Sequence, residues 1–452
     1  MRAPLWTIRL FSKINDSNFQ EIITGSSSVF ILKIIAAGLG FFFNVILTRT
    51  MGAENAGLYF LSITCVTILS MICRLGLDQA YVKLIAVESA EENWIAIRQI
   101  FYFGVKYAFG FSLLLTIILF IQAPWLSSTL FHNSELTMPL RIGALAILPF
   151  TLFVLIARAL QGLKRMWHFV LVQSVCRPVF SIVTFAILVP FFSVKGAMLS
   201  FPASCALTLF IGIFFLKESF PKQENFKKNN LIKFSADKII KSSTPLFFIS
   251  ILNLVFMWSS SLMIGIWHST TDVAVFNIAL RTSMFISFIL VSVSSVTSPK
   301  YAELYRKKKI NDLGKTARNA SLVTMICGSP LAVMFIFFPH IVMNIFGPAF
   351  SDSSSVLRIL GVGQFVNIAT GTVGFLLIMS GKEIWMRNII ACCAFINMTL
   401  NILLIPKYGA IGGAVATSVS LIIQNIFAVI LVWKKYHIMT IPIHLVFWRQ
   451  RS

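Results

Sequence analysis

Twelve runs of about twenty apolar residues fill most of this chain, and each is long enough as a helix to cross the ~30 Å hydrocarbon core of a bilayer. Lipid offers no partners for backbone N–H and C=O groups, so such runs must be helical. The spans are expected at 28–47, 56–72, 100–121, 142–157, 169–189 and 196–216. A second set is expected at 245–266, 273–296, 320–338, 356–379, 385–404 and 410–433. With 57% hydrophobic and only 12% charged residues, the chain has too little polar surface for a soluble fold of 452 residues. The fold class is therefore an all-α integral membrane protein of about twelve transmembrane helices.

The longest hydrophilic run, Lys217–Thr244, divides the spans six and six and carries seven lysines. It reads as a hinge between two membrane-embedded bundles. The expected organisation is a cytoplasmic N-terminal segment (1–27), a six-helix bundle (28–216), a basic cytoplasmic linker (217–244), a second six-helix bundle (245–433) and a cytoplasmic tail (434–452). A second cytoplasmic loop is expected at Pro299–Asn319.

Placing the N-terminus in the cytoplasm puts 28 of the 38 Lys and Arg on that side, 4 on the other and 6 within spans, one of these, Arg387, only two residues past the cytoplasmic start of its span. This asymmetry follows the positive-inside rule and puts both termini in the cytoplasm of a plasma (inner) membrane protein. It also explains the net charge of +22 without nucleic acid as a partner. The N-terminal residues lack a short apolar run with a cleavage site, so no removed signal peptide is expected. The seven cysteines are scattered, with neither metal spacing nor a disulfide framework.

The halves resemble each other. Pro190 to Ala197 matches Pro406 to Gly413 in its proline and glycine spacing, at an offset of 216 residues. The same offset carries Ser28, the start of the first span, onto Thr244. Six spans per half give repeats of one orientation, with a substrate site expected between them.

The sign of the intramembrane charge points to the substrate. All sixteen Asp and Glu fall outside the apolar spans, Asp78 among them just past the second, whereas Lys33, Lys106, Arg177, Arg281 and Arg358 fall within them and Arg387 at the cytoplasmic edge of one. A cation in the membrane costs ~3 kcal/mol or more and usually faces a wet cavity and a partner. With no carboxylate there, an anionic substrate is the candidate. Arg177 and Arg281, one in each half, lie roughly 12 Å deep from opposite ends and approach the midplane. A planar guanidinium binds two phosphate oxygens at once, so a pyrophosphate could bridge the two, with Lys33 guiding access. Lys33 and Lys106 are also placed to snorkel, and Arg358 to anchor the outer interface. Asn44, Asn253, Asn277, Asn397, Asn401 and Gln364 either line a sugar path or bond neighbouring helices. Pro178 should kink the fifth helix. Gly361, Gly363, Gly371 and Gly374 give the tenth helix either close packing or a bend.

No phosphate-binding loop of the ATPase type is present and no acid–base pair sits in a span, so no cofactor and no covalent chemistry are expected.

The strings at 38–62 (GLGFFFNVILTRTMGAENAGLYFLS), 74–83 (RLGLDQAYVK), 271–305 and 401–420 (NILLIPKYGAIGGAVATSVS) resemble the O-antigen and polysaccharide repeat-unit flippases. These belong to the multidrug/oligosaccharidyl-lipid/polysaccharide exporter superfamily. The resemblance implies two six-helix bundles in a V around a central cavity. It implies alternating access, and a cargo of undecaprenyl-pyrophosphate-linked oligosaccharide, such as a lipopolysaccharide O-antigen unit, moved from the cytoplasmic to the periplasmic leaflet. The expected partners are that lipid-linked oligosaccharide and bilayer lipids, and beside them the polysaccharide polymerase and chain-length machinery. A proton, sodium or the membrane potential would drive the cycle. Some superfamily members carry two further helices, missing here, and the multidrug branch often uses membrane carboxylates, absent from these spans. A cation-coupled multidrug exporter and a membrane glycan polymerase or ligase are the alternatives. The first lacks its carboxylate and the second lacks a large outer loop.

Overall fold

The computed structural model describes residues 17–220 and 236–440. The middle of the basic linker and the ends of both tails lie outside the described residues. In the first half, α1 runs Ser17–Cys73, α2 Leu77–Ala90, α3 Trp94–Trp125, α4 Thr137–Gly162, α5 Met166–Val170 and α6 Cys176–Ser219. In the second, α7 runs Ala236–Trp267, α8 Thr270–Arg306, α9 Ile310–Phe337, α10 Pro339–Asn344 and α11 Pro348–Ser351. The chain closes with α12 Ser355–Thr370, α13 Val373–Met379 and α14 Glu383–Tyr436. No strand occurs among the described residues.

Twelve spans emerge once the longest helices are divided. α14 has 54 residues, about 80 Å of helix and far more than one bilayer crossing. It folds back at Gly409, whose φ of 52° and ψ of −128° are non-helical. α6 folds back in the same way at Ser193 (φ 50°, ψ −126°). α1 is broken at Gly52 (φ 76°, ψ 172°). Each break falls in a gap expected from the sequence.

The internal repeat is written in the backbone. Ser193 and Gly409 are 216 residues apart and share nearly the same strained dihedrals. Gly52 is 216 residues before His268, which falls in the break between α7 and α8. A Cβ on Gly196 would stand 2.3 Å from the Leu188 carbonyl oxygen, and one on Gly412 2.5 Å from that of Leu404, the same pair shifted by 216. Each hairpin therefore needs a residue without a side chain where its second arm turns back onto the first.

Several loops expected from the sequence are helical. Lys217–Ser219 ends α6 and Ala236–Thr244 begins α7, so the linker is shorter than 217–244. The Pro299–Asn319 loop is two helix ends joined by a tight turn in which Lys308 adopts φ 56°. α2 lies between the second and third spans, where only a basic loop was expected, and buries Leu77, Ala80, Tyr81, Leu84 and Ile85. α1 reaches back to Ser17, inside the expected N-terminal segment.

Proline and glycine shape two spans. Pro178 has no N–H, and its ring crowds the carbonyl four residues earlier, at Ser174. The chain answers with a π-turn over Leu171–Val175, so the expected kink is a widened turn between α5 and α6. Gly371 (φ 71°) breaks the tenth span, with a 47° bend between α12 and α13. It also lies so close to Ser321 that a Cβ would sit 1.9 Å from Oγ. Gly361, Gly363 and Gly374 are packing positions, against Phe335 and Ile336, Ser418, and Met386.

The halves are joined chiefly at the end of the bundle opposite the termini. There Phe41 of α1 stacks edge-on to Phe285 of α8 and Phe346, with centroids 5.6 and 5.2 Å apart. Gly57 admits the backbone of Thr270 so closely that a Cβ would stand 1.8 Å from its oxygen. The Arg49 guanidinium donates from Nε to the Ile345 carbonyl (2.7 Å) and from Nη2 to that of Asn344 (3.1 Å). These carbonyls close α10, where a helix leaves acceptors unpaired and favours a cation. One apolar core runs continuously across this junction. At the end bearing the termini, the second half instead packs a separate cluster around Tyr301, Leu313, Leu376 and Val432. Among the described residues the foot of α7 crosses there, where Gly76 approaches Ser243 and Phe247.

Gly196→Ala and Gly412→Ala should each lower the thermal midpoint of the detergent-solubilised protein by at least about 2 °C. Gly110→Ala, which has open space around it, should leave the midpoint unchanged. In Arg49→Ala, spin labels at exposed Thr50 and His340 should report at least a few-fold larger population of long distances, by double electron–electron resonance. An unchanged distribution would mean that the Arg49 contacts do not hold the junction.

Candidate functional site

The site is built where Arg177 of α6 and Arg281 of α8, one from each half, both reach towards Tyr59 of α1. Arg177 is eleven residues beyond the start of α5, and Arg281 is eleven beyond the start of α8. At 1.5 Å per residue both are about 16 Å into their spans, from opposite ends. Both helices begin earlier than the apolar runs, so each arginine stands further from its helix start than the sequence suggested. The structure brings the two together. Arg177 and Arg281 lie within electrostatic reach of each other, and both act on the hydroxyl of Tyr59. Tyr59 is 3% exposed and sits beside Ser200, with Cys205 also acting on it.

Arg281 lies over the face of Phe60, 5.0 Å from the ring centroid to Cζ. This cation–π contact supplies part of what water would give the guanidinium. Among the described residues the titratable groups acting on Arg281 are the Arg177 guanidinium and the neutral Tyr59 hydroxyl, and no carboxylate is among them. Like charges held together in an apolar setting are costly unless an anion joins them. The arrangement can therefore take an anion with several oxygens, gripped from both halves.

The other sequence candidates lie elsewhere. Lys33 is half-buried on α1 and is not among the charges acting on Arg281. Lys106 is exposed on α3, beside exposed Tyr102 and Tyr107. Arg358 is exposed and donates from Nε to the Ile336 carbonyl (3.0 Å), capping α9. Asn44 is buried on α1, and its backbone carbonyl accepts from Thr48.

The asparagines and glutamine mostly bond neighbouring helices. Asn277 donates to the Val273 carbonyl (2.9 Å) and accepts from Ser261 of α7. Asn397 and Asn401 tie α14 to α7 through Ser259 and Ser260. Gln364 accepts from Ser287 of α8 and from Asn367, which accepts from Asn425 of α14 (3.2 Å). Gln364 and Asn367 precede the Gly371 break, so this network ties the α12 arm of the tenth span to α8 and α14.

Sequence reasoning missed one buried charge cluster. Arg74 is 7% exposed, donates to Ser70 (2.8 Å) and pairs with buried Asp78 at 3.8 Å. Thr151 also donates to Ser70 (3.1 Å), and Arg158 acts on Arg74 from α4. The Arg74 and Asp78 spacing of four was the available signal. It was obscured because both residues fall just past an apolar run. Asp78 is thus a buried partner of an arginine, and it is absent from the field at Arg281.

Comparison with known proteins agrees with this architecture. Residues 22–305 match the polysaccharide biosynthesis protein family, and residues 245–403 match the MatE family. Over 155 residues the chain is 30% identical to the uncharacterized membrane protein MJ1068 of Methanocaldococcus jannaschii, covering 34% of this chain and only 30% of that protein. It is 21% identical over 407 residues to the probable low-salt glycan biosynthesis flippase Agl15 of Haloferax volcanii, covering 90% of this chain and 82% of the relative. In fold it is similar to the lipid II flippase MurJ in an inward closed conformation, with a TM-score of 0.71 at 18% identity over 95% of this chain and 94% of MurJ. The chain belongs to the polysaccharide biosynthesis protein family, within the multidrug/oligosaccharidyl-lipid/polysaccharide exporter superfamily.

Proposed function

We propose that this protein is a flippase for a lipid-linked oligosaccharide, and that it carries no covalent chemistry of its own. The observation that carries the reading is the pairing of Arg177 with Arg281, one from each half, with no carboxylate acting on Arg281 among the described residues. A pyrophosphate between lipid and sugar supplies the anion such a pair needs, and guanidinium forks suit its oxygens. The likeness to a relative named as a glycan biosynthesis flippase supports the same class of cargo. The finer proposal is an undecaprenyl-pyrophosphate carrier bearing a polysaccharide repeat unit, such as an O-antigen unit.

We infer the direction from where the halves are joined. With the termini in the cytoplasm of an inner membrane, as the positive-inside count supports, the junction around Arg49 and Phe346 would be periplasmic. A bundle closed there and separately packed at the other end takes its cargo from the cytoplasmic leaflet. Opening the Arg49 contacts while the cytoplasmic ends close would release the headgroup on the far side, with the lipid tail remaining in the bilayer. Lys33, half-buried on α1, is placed to meet the phosphates on the way in, and Gly371 offers a bend in the tenth span. A proton, sodium or the membrane potential would drive the return. A polymerase and chain-length regulator would act on the released unit.

The match of residues 245–403 to the MatE family favours a second reading, a cation-coupled multidrug exporter. Two adjacent arginines would repel cationic drugs, which ranks this reading lower.

In cells that depend on this protein for a surface polysaccharide, Arg177→Ala and Arg281→Ala should each reduce that polysaccharide at least about tenfold at unchanged protein level in the membrane. Lysine at either position should restore part of it. Full surface polysaccharide in both alanine variants would sink the anion-site assignment. Unchanged polysaccharide with increased drug sensitivity on deletion would favour the exporter.

A further inference from the structure

A groove lies outside the arginine site. It lies at the terminal end of the first half, between α3, α4 and α6, and has a volume of 590 Å³. That is within the range of sites that hold a small ligand or a stretch of chain. Its floor is apolar, built from Leu152 and Ile156 of α4 and Leu209 and Ile213 of α6. Its mouth carries two cations, Arg98 near the start of α3 and Lys217 near the end of α6. Lys217 is exposed, and Arg98 is held over the Phe220 ring at 5.6 Å.

The groove faces lipid. α3 is the least buried of the membrane helices, with 22% of its most apolar window inside the protein. It packs on α1, α2 and α4, all elements of its own half. Beyond the groove its surface continues as exposed Phe109, Leu113, Ile117 and Phe120. From Lys217 back to Leu209 the floor runs eight residues, about 12 Å from headgroup depth towards the bilayer centre. Charge at headgroup depth above an apolar slot is the pattern of one amphiphile with an anionic head and a hydrocarbon tail. A soluble anion would have no use for the floor, and a neutral lipid none for the two cations.

We propose that this groove holds one anionic phospholipid from the leaflet at the terminal end, its phosphate between Arg98 and Lys217 and one acyl chain along Leu152 and Leu209. The site does not depend on the function proposed above, since none of its residues belongs to the arginine pair. It gives anionic lipid a specific place on the first half. Juxtamembrane cations contribute about 1 kcal/mol each towards anionic lipid, so two of them amount to a preference on the order of tenfold or more over a zwitterionic lipid.

The test is native mass spectrometry of the full-length, delipidated protein titrated with phosphatidylglycerol or phosphatidylcholine. Wild type should retain one phosphatidylglycerol at least about tenfold more tightly than phosphatidylcholine. Arg98→Gln with Lys217→Gln should abolish that preference. Ile213→Trp, which fills the slot from an already exposed position, should displace the lipid with both cations in place. Equal retention of the two lipids by wild type would overturn the proposal. Unchanged phosphatidylglycerol binding in Ile213→Trp would also overturn it, by reducing the site to surface charge. Competition by millimolar inorganic phosphate would do the same, by reducing it to an anion site without a lipid tail.

Discussion

Every feature of this molecule depends on one constraint: inside hydrocarbon, no backbone N–H or C=O can be left to find water. The constraint makes the spans helices and confines irregular backbone to a few protected places. The breaks at Gly52, Ser193 and Gly409 sit where helices turn back. The break at Gly371 is packed against Ser321 and flanked by the Gln364, Asn367 and Asn425 network. The π-turn before Pro178 is the cost of a missing donor one turn later. It falls on the helix that presents Arg177, so the same irregularity that accommodates proline also sets where the arginine stands.

The constraint gives meaning to charge. A guanidinium near the midplane is costly, and two that repel each other are more so. Partial compensation is visible in the Phe60 face under Arg281 and the Tyr59 hydroxyl beside the pair. Contrast the cluster at Arg74, where Asp78 and Ser70 supply partners within the same half. The Arg74 cluster has a carboxylate partner in its own half. The Arg177 and Arg281 pair takes one arginine from each half, and under the proposed flippase reading it is where the anion of the cargo would bind.

Much of the fold was legible because its signals are local. Apolar length sets the spans, lysine and arginine counts set the sidedness expectation, and the proline–glycine hairpin recurs at a fixed offset. The repeat is confirmed more sharply by the backbone than by the residues, since Ser193 and Gly409 share dihedrals without sharing identity. That Arg177 and Arg281 sit deep in their spans without a carboxylate in those spans was also legible, from spacing and sign. What sequence did not reveal depends on partners far away in the chain. Arg49 reads as a loop cation until its bonds to carbonyls nearly 300 residues away are seen. Asn397 and Asn401 read as a sugar path or, the commoner case, as helix glue, and they bond Ser259 and Ser260 of α7. Helix α2 was hidden because its apolar face is short and carries charges. The Pro299–Asn319 loop was hidden because a lysine-rich helix end and a loop have the same composition.

The central claim is that the two halves move a pyrophosphate-linked sugar across the bilayer. The most direct measurement is transfer itself, in liposomes reconstituted with the purified protein and a fluorescent pyrophosphate-linked oligosaccharide. Quenching by a membrane-impermeant reagent reports the leaflet occupied. The account predicts protein-dependent movement of the labelled lipid between leaflets, slowed at least about tenfold when Arg177 and Arg281 are both replaced by alanine. Transfer at the protein-free rate under an imposed ion gradient and membrane potential, or wild-type transfer by the doubly substituted protein, would contradict it.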